Sequence, residues 1–130
     1  MAFFIIVFFI FFQDSLPGVL SNYTSENKAI FLFAPDNRSE PYSRSLILLT
    51  RDPLGLDTRN IKIFEVFIEG GIGPAGESYN KEEVSSIRKY YNIKPTDFFL
   101  ILSHQNFTEI FRSDMPLDVE EIFKKFDNIN

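Results

Sequence analysis

The hydrophobic positions of this chain fall into short apolar runs separated by stretches with helical spacing. Residues 28–34, 61–68 and 98–102 are apolar runs bounded by turn residues, which is typical of buried strands. Residues 107–112 alternate between polar and apolar, as an edge strand does. Three further segments predict amphipathic helices, over 41–50, from Asn80 and from Asp118, and Asp52 with Pro53 is expected to stop the first of them. Their predicted inner faces are Tyr42, Ser45, Leu46 and Leu49; Val84, Ile87 and Tyr91; and Val119, Ile122, Phe123 and Phe126.

The predicted element order is β-α-β-α-β-β-α, with loops over 54–60 and the glycine-rich stretch 69–79. Because crossovers between parallel strands are right-handed, we expect the first three strands to be parallel, with helices on both faces. The closing hairpin and helix add an antiparallel edge. This is the order of the thioredoxin fold, so the fold class is α/β, a three-layer sandwich around a central mixed sheet.

The amino terminus has the pattern of an export signal. Residues 2–12 form an unbroken apolar run, shorter than the roughly 20 residues that a membrane-spanning helix needs. Residues 13–21 turn polar, and the short side chains of Val19 and Ser21 predict cleavage after Ser21. A buried first strand or an interfacial anchor is the alternative, since no Lys or Arg precedes the run. We expect a signal peptide over 1–21, one domain over 22–130 without a stable membrane span, and an exported protein, periplasmic or extracellular.

Composition excludes several classes of function. The chain of 130 residues contains no cysteine and one histidine, which removes disulfides, thiolate nucleophiles and multi-histidine or cysteine metal sites. Its formal net charge is -5, whereas a nucleic-acid binder needs a basic face. We therefore predict no nucleic-acid partner, no metal and no cofactor.

Two motifs invite a catalytic interpretation that their surroundings oppose. Residues 71–76 match GxGxxG between a strand and a helix, but Pro74 removes a backbone N–H and residues 77–80 separate the glycines from the helix. His104 stands in a predicted polar turn, and the sequence contains no GxSxG elbow to supply a nucleophile. A flexible connection and an exposed turn histidine are the simpler interpretations.

The paired carboxylates at 82–83 and 120–121 each lie in the first turn of a predicted helix. Acidic side chains stabilise that end of a helix. Asn80 with Glu83, and Asp118 with Glu121, also have the spacing of capping boxes. Helix capping therefore accounts for these carboxylates without catalysis.

The stretch 35–39 follows the first strand, where redox thioredoxins carry their cysteines at a helix amino terminus. No thiol is present here, and Ser39 is the expected helix cap. Pro95 precedes the third strand, near the place where a cis-proline shapes the thioredoxin groove. A trans bond is the default, since only about one X-Pro bond in twenty is cis.

Several segments together resemble one family. They are IFLFAP, SRSLILLTRDPLGL, RNIKIFEVF, SIRKYYNI, FFLILSHQNFTEIFRS and DVEEIFKKFD, which span most of the chain after residue 28. The sequence resembles the prokaryotic DUDES-like domain, a family of unknown function related to domains in secreted vertebrate matrix proteins. The resemblance implies a thioredoxin-like or peroxiredoxin-like fold, usually without catalytic cysteines and with no established activity. It also implies basic residues at Arg59 and Arg112.

The sequence therefore favours an exported, cysteine-free binding or interaction module without thiol redox activity, whose partner is a protein or an envelope or matrix component. The candidate partner surface comprises Asp36, Asn37, Arg38, Pro95 and Arg112, at the expected carboxyl ends of the strands. Two alternatives stay open. One is a small enzyme with a non-thiol site at that same edge, and the other is a degenerate redox protein that serves a cysteine-bearing partner.

Overall fold

The computed structural model describes residues 16–23 and 27–129. Within them, the strands are β1 (Lys28–Phe33), β2 (Ile61–Val66), β3 (Gly71–Ile72), β4 (Ser78–Tyr79), β5 (Phe99–His104) and β6 (Thr108–Ser113). The α-helices are α1 (Glu40–Leu49), α2 (Pro53–Thr58), α3 (Lys81–Tyr91) and α4 (Val119–Asp127), with 3-10 helices at Gly18–Asn22 and Gln105–Phe107. The strands form one mixed sheet in the order β4-β3-β2-β1-β5-β6. No helix in this part of the chain is long and apolar enough to cross a bilayer.

The central strand β1 separates two apolar cores. Successive side chains of a strand point to opposite faces of the sheet, and five consecutive residues of β1 are buried. Phe31 and Phe33 join the core that includes Ile87 and Tyr91 of α3. Ile30, Leu32 and Ala34 belong to the opposite core, with residues of α1, α2 and α4. The predicted arrangement of helices on both faces of the sheet is therefore confirmed.

The direction of the third long strand differs from the prediction. β1 and β2 are parallel, but β5 runs antiparallel to β1, with Phe99 opposite Phe33. Helix α3 starts at the carboxyl edge of the parallel pair, where Lys81 lies 3.7 Å from Glu69. Asn92 ends that helix in the left-handed conformation, and the following segment returns the chain to the same edge. Strand β5, which follows this segment, must therefore run in the direction opposite to β1.

Two predicted loops contain regular structure. Asp52 caps α2 by accepting the Gly55 N–H at 2.9 Å, and Pro53 occupies the first turn, where its missing N–H costs nothing. A proline that was predicted only to stop α1 therefore also begins α2. In the stretch predicted as a glycine-rich loop, β3 and β4 pair as an antiparallel hairpin attached to β2.

The predicted caps are confirmed in one case and incomplete in two. Asn80 and Glu83 form a capping box, with both bonds at 2.8 Å. Ser39 and Asp118 occupy the cap positions of α1 and α4, but neither side chain makes a capping hydrogen bond. The predicted inner faces of the helices are buried, except that Leu46 is only partly buried. Tyr91 also hydrogen-bonds Ser103 of β5, with 2.7 Å between the two oxygens.

Candidate functional site

The polar loop after β1 lies at the carboxyl edge of the two parallel strands and contains three of the predicted site residues. Asp36, Asn37 and Arg38 are all exposed. Oδ1 of Asp36 accepts a hydrogen bond from the backbone N–H of Arg38 at 2.9 Å. The Pro35 carbonyl accepts one from the N–H of Ile68 at 3.2 Å, which ties the loop to the end of β2. Three exposed polar side chains are therefore presented on a backbone that the sheet holds in place.

Pro95 lies at the same edge of the sheet. It is exposed in the segment between α3 and β5, and β5 begins at Phe99, opposite Phe33 at the carboxyl end of β1. The peptide bond before Pro95 is trans, because the described residues contain no cis peptide.

Arg112, the fifth predicted site residue, is engaged in contacts within the domain. Its Nε and Nη2 each donate to the Glu109 carboxylate at 2.7 Å, and Nη2 also donates to the Tyr91 carbonyl at 2.8 Å. The guanidinium lies 5.4 Å from the centre of the Phe99 ring. The hydrogen bonds that Arg112 donates to the Glu109 carboxylate raise the pKa of Arg112. Arg112 therefore ties β6 to the end of α3.

Arg59, the other basic position that the resemblance implied, lies at the opposite edge of the sheet, just before β2. Its Nε and Nη2 donate to the Asp127 carboxylate at 3.1 and 3.0 Å, and Nη1 donates to the Gly55 carbonyl at 3.3 Å. The guanidinium stacks 3.9 Å from the centre of the Phe123 ring. Bidentate pairing together with ring stacking is characteristic of arginine, so Arg59 holds α4 against α2.

A shallow groove adjoins the polar loop, and we call it the α1 groove. It is lined by Asn37, Tyr42, Ser43, Leu46, Ile47 and Thr50. Ile47 is the exposed apolar residue of this set, at 62% of its surface. Tyr42 is buried; its hydroxyl donates to Glu65, and its ring meets Phe67 edge-on at 5.0 Å. Burial and then the Glu65 contact raise the pKa of Tyr42, which favours the neutral phenol.

Sequence reasoning missed Arg88, a buried cation on α3. It is 8% exposed, and its Nη1 donates to the Phe67 carbonyl at 2.6 Å, at the end of β2. Burial lowers its pKa. None of the ion pairs found between described residues includes Arg88. The signal was its spacing, because residue 88 lies one turn after Val84 and next to Ile87 on the predicted inner face.

The GxGxxG motif forms the β3–β4 hairpin, and each glycine has a structural reason. A Cβ at Gly71 would lie 2.3 Å from the Glu65 carbonyl oxygen of β2. A Cβ at Gly73 would lie 2.2 Å from the Glu77 carboxyl carbon. Gly76 has a φ of 84°, which side-chain-bearing residues rarely adopt. Close packing and one turn therefore account for the motif without a nucleotide.

His104 does not stand in the turn where it was predicted. It is the last residue of β5 and is partly buried, next to the fully buried Ser103. The turn is instead made by Gln105–Phe107, where Asn106 and Phe107 have positive φ values of 58° and 59°. The described residues contain no group of three or more His, Asp or Glu side chains arranged to hold a metal.

A family model matches residues 19–130 of the chain, and its description is "Domain of unknown function (DUF4174)". The chain belongs to the DUF4174 family. The narrower relation of this DUF4174 domain to DUDES-like domains stays a prediction. No curated protein matches the sequence.

Among solved structures, this DUF4174 domain is similar to a reduced 2-Cys peroxiredoxin of Plasmodium vivax. The similarity covers 83% of this chain and 80% of the other, with a TM-score of 0.62 and 17% sequence identity. At that identity the similarity establishes the fold alone. The thioredoxin-like fold predicted from the element order is thereby confirmed, in a chain that has no cysteine.

Proposed function

We propose that this DUF4174 domain is an exported binding module that captures a protein of the cell envelope or extracellular matrix, without thiol chemistry. The observation that carries the proposal is the α1 groove, where exposed Ile47 and the polar loop at Asn37 border one concave surface. Export is supported by the apolar run at residues 2–12. DUDES-like domains are related to domains in secreted matrix proteins, and an exported module with a matrix or envelope partner would be of the same kind. We therefore keep the relation to DUDES-like domains as part of the proposal.

The chemistry of the groove suits a protein surface. Ile47 offers an apolar side chain on a rigid helix, while Asn37, Ser43 and Thr50 supply hydrogen-bonding groups around it. An apolar centre with a polar border is the usual anatomy of a protein interface. The floor of the groove is Tyr42, which Glu65 and Phe67 hold in place. A groove fixed in this way loses little conformational entropy when a partner docks.

Substitution of Ile47 tests the groove. Burying the exposed part of this side chain contributes about 1–2 kcal/mol to binding, and a carboxylate there would have to be desolvated instead. Ile47→Glu should therefore weaken binding tenfold or more. Leu54→Glu is the matched control, because Leu54 is 70% exposed on α2 and does not line the groove.

The experiment uses the full chain immobilised and exposed to envelope and secreted fractions, followed by affinity measurements on each purified partner. We expect a partner that binds the wild type and Leu54→Glu equally and Ile47→Glu at least tenfold more weakly. Equal binding by all three proteins would contradict a role for the α1 groove in binding. Catalytic turnover of a small molecule by the purified domain would contradict a pure binding role.

The alternatives stated from the sequence stay predictions. A non-thiol enzyme at the carboxyl edge would have to use Asp36, Arg38 and Pro95 without the Arg112 guanidinium, which contacts Glu109 and Tyr91. A degenerate redox subunit would co-purify with a thiol oxidoreductase. The fractions used for capture would reveal such an enzyme directly.

A further inference from the structure

The segment Pro17–Tyr23 packs as part of the domain. Leu20 is 0% exposed and ranks among the largest fully buried side chains, in the same core as Phe64 and Phe107. Its N–H donates to the Pro17 carbonyl at 3.0 Å, and its own carbonyl accepts the Tyr23 N–H at 3.1 Å. These bonds close the 3-10 helix Gly18–Asn22, which directs Leu20 into the core.

Tyr23 fixes the other end of this segment. Its ring meets Phe64 edge-on, with 5.2 Å between ring centres, and its hydroxyl donates to the Glu77 carboxylate. Tyr79 donates to the same Glu77 oxygen at 3.1 Å. Burial opposes ionisation of Glu77, but the bonds from Tyr23, the Ala75 N–H and Tyr79 together lower its pKa. The segment is therefore anchored to the β3–β4 hairpin by a charged hydrogen bond as well as by Leu20.

A cut after Ser21, the site expected from the sequence, would separate Leu20 from the domain. The core would lose a complete leucine side chain, and a charged amino group would form at Asn22, next to the resulting cavity. Removing a large buried side chain is among the most destabilising single changes to a small domain. The family match also begins at residue 19, ahead of that cut.

We propose that the mature domain retains Pro17–Tyr23, so that any cut that releases the leader peptide lies on the amino-terminal side of Pro17. This inference rests on the proposed export, since it limits where the exported chain can be processed.

The first test secretes the full chain from a host with a signal peptidase and measures the intact mass and the amino-terminal sequence. A secreted chain that begins between residues 13 and 17 supports the inference. A secreted chain that begins at residue 18 or later overturns it and leaves export intact. A chain that retains its leader inside the cell overturns export, and the processing site with it.

Substitution of Ser21 tests the position of the cut independently. Ser21→Asp replaces a small residue at the cleavage position expected from the sequence by a carboxylate. The amino terminus of the secreted chain should stay unchanged, because Ser21 is exposed and lies within the retained segment. Loss of processing in this variant would show that the cut follows Ser21 and would overturn the inference.

A measurement of Tm on the secreted chain tests the inference even if processing proves inefficient. Leu20→Ala should lower Tm by about 10 °C or more, as expected for a fully buried leucine. Asn22→Ala, two residues away and exposed, should leave Tm within about 2 °C. Equal Tm values for Leu20→Ala and the wild type would show that the segment is dispensable and would overturn the inference.

Discussion

The clearest test of the packing of α1 is the substitution Ser45→Ala. Ser45 has no exposed surface, and its Oγ has no hydrogen-bond partner in the described part of the chain. Alanine keeps the Cβ and removes the hydroxyl. Because a buried polar group without a partner destabilises the folded state, we expect the variant to be more stable than the wild type.

The expected gain follows from three contributions. Leaving a buried hydroxyl unsatisfied costs about 1–3 kcal/mol, and alanine exceeds serine in helix propensity by up to about 0.5 kcal/mol. Loss of one buried atom's packing offsets this by about 0.8 kcal/mol, taking the value for a methylene group. The net increase in the free energy of unfolding is about 1–2 kcal/mol. For a domain of this size, that corresponds to a rise in Tm of about 4 °C per kcal/mol.

Urea denaturation followed by circular dichroism measures this difference, with a thermal scan in parallel. The matched control is Ser43→Ala, on the same helix but exposed, which should stay within about 0.5 kcal/mol of the wild type. If Ser45→Ala loses 1 kcal/mol or more while the control is unchanged, the Ser45 hydroxyl is bonded in the native protein and the reasoning is wrong.

Three further predictions address the hairpin and the two edges of the sheet. Gly71→Ala should destabilise the protein by about 1–3 kcal/mol, because the new Cβ would clash with the backbone carbonyl oxygen of Glu65 in β2; an unchanged urea midpoint would contradict this. Burial, and then the hydrogen bond to Glu77, raise the pKa of Tyr23 from 10.0 to about 12. A raised folded-state pKa stabilises the protein below the unfolded value, and the effect is lost as pH rises through the folded value. In the variant Tyr23→Phe, Tm should therefore fall less steeply between pH 10 and about pH 12 than in the wild type. Parallel curves of Tm against pH for the two proteins would contradict the hydrogen bond to Glu77. The hydrogen bond from Arg59 lowers the pKa of Asp127, which stabilises the protein above the unfolded pKa and is lost as pH falls through the folded one. Asp127→Asn should therefore reduce the acid dependence of Tm measured from pH 7 downwards, and an identical acid limb would show that the pair contributes nothing.

Hydrophobic periodicity was sufficient to predict the long elements of this fold. Each of the four longer strands and three of the four α-helices lies within a few residues of its predicted position, because each contains a run long enough for its period to show. Helix α2 was missed because Pro53 was read as a stop, although Asp52 before it is a helix cap. The hairpin was missed because two-residue strands are too short for alternation to be recognised.

The direction of β5 and the contacts at the site depend on non-local geometry. The sequence predicted that Asp36 and Arg38 would lie at the carboxyl edge, because they directly follow a parallel strand. It could not predict that Arg112 would donate hydrogen bonds to Glu109 and to the Tyr91 carbonyl, because those contacts depend on the packing of β6 against α3. The position of Arg88 was recognisable from its spacing, but its acceptor is the backbone carbonyl of Phe67, just after β2. Every residue has a backbone carbonyl, so the sequence could not identify this acceptor.

The lengths of the two outer strands bear on the solubility of the protein. An uncovered strand edge can pair with another molecule and start aggregation, and natural sheets limit this with short or charged edge strands. On one side, the sheet ends in β4, which is only two residues long. On the other side, β6 carries Glu109 and Arg112 as an ion pair, and both charges would have to be accommodated by any strand added there. The short strand β4 at one edge and the charged pair of β6 at the other edge therefore both disfavour pairing with a strand of another molecule.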